Sequence, residues 1–134
     1  MKKRNVEAFI MTIAVISLVS CTTVSFQPVV EGRGMEKPVD LDKLRNAIRI
    51  AFGIYNWRVV SATNSEFVAE FGKGSNDKVQ ATIKVDYSDA GYKIEYVDSQ
   101  GLNADLEHKT IHRNYVRWVN NLDKQIYLNY YRQL

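Results

Sequence analysis

Two groups of residues in this 134-residue chain could do chemistry: the single cysteine, Cys21, and the run Glu107-His108-Lys109-Thr110-Ile111-His112, which holds both histidines. Histidines four residues apart on one helix face can share a metal ion, and Glu107 could add an oxygen ligand. The order is not HExxH, however, no third ligand is obvious, and a catalytic zinc also wants a positioned general base. His108 precedes Thr110, the expected helix N-cap, so helical spacing does not cover both rings. The plainer reading sets His112 at the flank of a buried helix stripe, hydrogen-bonded near the helix start. No GxSxG or P-loop is present, and the turn around Gly72 and Gly74 is too weak a signal for a phosphate cradle. Asp86, Asp89, Glu95 and Asp98 fall near one hairpin, but strand charges are usually solvated and discourage edge pairing. Nothing here calls for a cofactor, and an enzyme is the second reading rather than the first.

Cys21 is the more informative of the two. A basic tip (Lys2, Lys3, Arg4) and an apolar run over 8–19 precede it, which is the pattern of a secretory signal. The run is shorter than the roughly 20 residues that a membrane-spanning helix needs. Leu18-Val19-Ser20-Cys21 resembles a bacterial lipobox. That resemblance implies diacylglycerol on the Cys21 thiol, cleavage that removes residues 1–20, and fatty acylation (such as palmitate) of the new amino group. Several acyl chains, at about 0.8 kcal/mol per buried methylene, give stable anchoring where one chain is marginal. Thr22 follows where an Asp would imply retention, so the expected location is the outer membrane, facing the periplasm. With one cysteine, no intramolecular disulfide can form even in an oxidising compartment.

Three of the 18 basic and one of the 15 acidic residues lie within 1–20, so the chain beyond the signal carries a net charge of +1. The pI near 9.0 is therefore partly the signal's and does not point to nucleic acid. About a hundred residues remain, enough for one domain with one core. Three regions are expected: the cleaved signal over 1–20, the lipidated cysteine with a flexible tether over 21–39, and a domain over 40–134. Pro28, Gly32, Gly34 and Pro38 without apolar periodicity give the tether.

Asp40 offers an N-cap to a helix over 41–52, with Leu41, Leu44, Ile48, Phe52 and Tyr55 on one stripe and Gly53 as its stop. The period then changes to two. Residues 57–62, 66–71, 79–87 and 92–96 alternate apolar with polar, separated by turn-forming residues. Short loops make such strands antiparallel neighbours. The resulting sheet has one apolar face that needs a cover. A helix over 111–130, capped by Thr110, supplies it through Ile111, Tyr115, Trp118, Leu122 and Ile126. The expected fold class is α+β: helix, four-stranded antiparallel meander, C-terminal helix, with both helices on one sheet face.

Trp57, the segment Ile94-Glu95-Tyr96-Val97-Asp98-Ser99 and the motif formed by Ile111, His112, Tyr115, Trp118, Val119, Asn120 and Leu122 resemble a family of small bacterial lipoproteins without an assigned activity. The likeness covers most of 56–126, and Val116 departs from it where the pattern has Asn. It implies the location and the fold, and draws attention to His112. The leading expectation is a non-enzymatic interaction or structural module, held at a membrane by lipid and binding an envelope protein through the sheet face or an edge strand over 57–62 or 92–98. The alternative is a metal-binding or metal-dependent site at His108 and His112.

Overall fold

Alternation of apolar and polar side chains builds the sheet of this α+β protein, whose computed structural model describes residues 22–73 and 78–132. In chain order the elements are β1 (Thr23–Ser25), β2 (Val29–Glu31), α1 (Leu41–Ile54), β3 (Arg58–Ala62), β4 (Glu66–Lys73), β5 (Val79–Ser88), β6 (Gly91–Gln100), β7 (Thr110–His112) and α2 (Arg113–Arg132). The meander β3–β6 is present, but the sheet has five strands, in the order β2-β6-β5-β4-β3, all antiparallel. A second sheet pairs β1 with β7.

Both helices cover the same face. Phe67 and Phe71 share one face of β4 by parity; Phe67 stacks edge-on against Phe52 of α1, and Phe71 lies 4.7 Å from Trp118 of α2. Ala81, Ile83, Val85 and Tyr87 continue that buried face along β5. The helices run antiparallel: the Tyr130 hydroxyl accepts from Asp40 N–H at the start of α1, and Asn129 Nδ2 donates to Ala47 O midway.

The segment read as a tether belongs to the fold. Phe26, Met35 and Val39 are buried in the core, and Phe26 makes edge-to-face contacts with Tyr96 and Tyr115. Arg33 reaches Asp123 of α2 with its backbone N–H and with Nε at 3.1 Å, and Tyr92 Oη donates to the same carboxylate. Burial and this hydrogen bond push the Tyr92 hydroxyl pKa up. Burial of Phe26, Met35 and Val39 offsets the ordering entropy that composition alone would leave uncompensated. The domain boundary therefore lies before residue 40. Residues 1–20 and Cys21 are outside the described residues.

Two helix ends also differ from expectation. Gly53 does not stop α1. Asn56, at φ 59°, takes the left-handed position, Trp57 N–H bonds to Phe52 O, and Asn56 N–H reaches Gly53 O. This paired pattern closes a helix around a residue that tolerates positive φ. Thr110 does not cap α2, because it and Ile111 are in β7; the cap is His112, whose Nδ1 accepts from Asn114 N–H at 3.1 Å.

Candidate functional site

The two histidines stand on different supports. Asp105 and Thr110 exchange both backbone hydrogen bonds, closing the turn that holds His108. His108 N–H and Nδ1 both meet the Asp105 carboxylate, at 3.0 and 2.7 Å. These contacts hold the Asp105 carboxyl below its usual pKa, the His108 backbone bond contributing most. His112 lies beyond β7's buried Ile111 and uses its ring to begin α2. The four-residue spacing is thus spent across a turn and a strand, not on one helix face. Among the described residues, no group of three or more His, Cys, Asp or Glu side chains could hold a metal ion.

Two of the four carboxylates near the hairpin, Asp86 and Glu95, are neutralised by lysines on the open sheet face. Lys84 Nζ lies 2.8 Å from Glu95 and 3.6 Å from Asp86, while Lys93 lies 3.7 Å from Glu95. The hydrogen bond from Lys84 lowers the Glu95 pKa and raises that of Lys84. Cross-strand pairing of this kind suits a solvated sheet face.

Sheet edges remain. The stretch 92–98 is not an edge, because β2 pairs with β6 from Lys93 to Glu95 and Tyr96 N–H bonds to Pro28 O. β3 is an edge. Among the described residues it pairs only with β4 in the five-stranded sheet, and all five of its residues are exposed. The register shifts between Val59 and Ser61, so Val60 is the extra residue of a bulge. Val59 and Val60 are 39% and 51% exposed. The strand is positioned by what precedes it: buried Trp57, tilted against Phe71 at 5.4 Å, fixes the entry from α1. Arg58 on β3 pairs with Glu70 on β4.

Beside the strand's start lies a cavity of about 280 Å³ lined by Ile54, Tyr55, Trp57, Phe71, Arg117 and Trp118. Sequence alternation offers both ends of the meander as edges; 57–62 is one, whereas 92–98 is covered by β2, a strand that carries no readable pattern. Comparison with protein families, with curated proteins and with solved structures finds no match to this chain.

Proposed function

We propose that this protein is a bacterial envelope lipoprotein, anchored through acylated Cys21 at the periplasmic face of the outer membrane, whose domain binds an extended segment of an envelope protein along β3. The observation that carries the binding half is the open edge: five exposed residues with consecutive exposed valines on a strand that, among the described residues, pairs on one side only. Strand addition uses the free backbone row for affinity and the side chains for selection. The bulge at Val60 interrupts regular pairing, which discourages indiscriminate edge-to-edge association and favours a partner shaped to it. The anchoring half rests on the lipobox-like segment before Thr22.

A non-enzymatic role fits the way the polar groups are used. Lysines span the sheet carboxylates, His108 is held by Asp105, and His112 caps a helix. The metal-site alternative at His108 and His112 has no comparable geometry behind it.

The test is in-cell crosslinking of the lipidated protein from a photoreactive residue at Ser61. A discrete envelope-protein adduct is expected, and it is lost on Val60→Pro. No adduct from Ser61, or an adduct indifferent to Val60→Pro, refutes the edge as the binding site. Cys21→Ala should abolish lipid labelling and release the protein from membranes; labelling that persists refutes the anchor.

A further inference from the structure

The tether that the composition suggested is absent from the fold, and this has a spatial consequence. Thr22, one peptide bond after Cys21, is already docked: its carbonyl accepts from Arg113 N–H at 2.8 Å, and Thr23 pairs with His112. A flexible chain of about 17 residues would give a root-mean-square reach of roughly 20–25 Å. Here the slack is a single residue, about 3.8 Å between Cα atoms.

We infer that the end of the domain around Thr22 is a lipid-facing surface, seated on anionic headgroups and turning β3 sideways to the membrane. This rests on the proposed acylation of Cys21. The surface can be traced by contacts. Arg113 starts α2 beside Thr22; His112 N–H bonds to Leu102 O; and at Gly101 an added Cβ would meet Lys78 O at 2.3 Å, so these backbones touch. Arg117 follows Arg113 by one helical turn and shares a cavity with Ile54. Lys78, Arg113 and Arg117 are all exposed, and Ile54 is 51% exposed.

The opposite end carries charges of both signs: the carboxylates Asp40, Asp42 and Asp89 with Lys37, Lys43 and Arg132, and Val39 N–H bonds to Asp89 O there. β5 runs ten residues from one end to the other, about 30 Å. Cations close to an anionic leaflet are attracted within a Debye length, each contributing about fivefold in partitioning, whereas those 30 Å away are screened. The connection at Thr22 thus selects the end, and Lys78, Arg113 and Arg117 add attraction there.

The experiment uses the full chain, matured in a bacterial host and reconstituted into vesicles of phosphatidylethanolamine and phosphatidylglycerol with acceptor dye on the headgroups. Cys21 is blocked by its acyl group, so a single introduced cysteine, Ile54→Cys or Ala90→Cys, takes the donor dye. Energy transfer should be strong from position 54 and weak from position 90. Equal transfer, or the reverse order, overturns the orientation. Arg113→Glu with Arg117→Glu should narrow the difference on these vesicles; an unchanged difference overturns the part assigned to charge. A protein that takes dye at Cys21 and does not float with vesicles overturns the anchor itself, which separates that failure from a wrong orientation.

Discussion

Phe26→Ala tests whether the N-terminal segment is a structural part of the domain. The ring is 7% exposed and sits 5.8 Å from Tyr96 and 5.7 Å from Tyr115, both edge-to-face. Truncating a buried Phe costs about 3–5 kcal/mol, through lost transfer energy and the cavity left behind. Ordering the ten residues 22–31 costs roughly 1–2 kcal/mol each, which docking of Phe26 helps to offset, so the loss of the ring should act first on this segment. Three amides report on it: Arg113 donating to Thr22 O, Tyr96 to Pro28 O, and Gly32 to Tyr92 O. Their hydrogen exchange should accelerate by about two to four powers of ten, at 1.4 kcal/mol per tenfold. Amides between β4 and β5 should change far less. If the three amides exchange freely in the unmodified protein, or are indifferent to Phe26→Ala, the segment is a tether after all and the docked anchor falls with it.

Two further predictions concern the domain proper. Gly53 lies within α1 and nothing stands within 4 Å of where a Cβ would sit, so Gly53→Ala should raise stability by about 0.5–1 kcal/mol, read as a higher urea midpoint; a loss would show that the last turn needs glycine. The Glu95 pKa is lowered from 4.5 in the folded state by Lys84. The sign follows: its contribution is present above the unfolded value and lost as pH falls through the lower folded one. Between pH 7 and pH 3 the unmodified protein should therefore lose more stability than Glu95→Gln, and equal losses would refute the pairing.

What the sequence made legible is what repeats locally. β5 alternates without a miss from Val79 to Tyr87, so its strand, its turn and its buried face could all be read. The start of α2 could not. Ile111 is four residues before Tyr115 and buried, so it extends the helical stripe equally well as the middle of a strand. Only its partner, β1, decides between the two, and that partner is some 87 residues away. Gly53 and Asn56 can both take the left-handed position, and only the bond from Trp57 N–H to Phe52 O decides for Asn56.

The N-terminal segment is the extreme case. Phe26, Val30, Met35 and Val39 follow steps of 4, 5 and 4, which fits neither a strand nor a helix. Two three-residue strands are also too short to show a period. Information about their docking resides in the surfaces that receive them: the Tyr96 and Tyr115 rings for Phe26, the edge of β6 for Val29–Glu31, and Asp123 for Arg33. Composition described the segment's own weak capacity to fold, not the capacity of the domain to hold it. The two readings differ most where function is concerned. A tether would let the open edge of β3 sample many heights and angles above a membrane, whereas a segment strapped from Thr22 onward ties that edge to one side of a fixed footprint. A partner strand would then have to approach β3 parallel to the bilayer surface or at a set inclination to it, so the geometry of the anchor becomes part of what selects the partner.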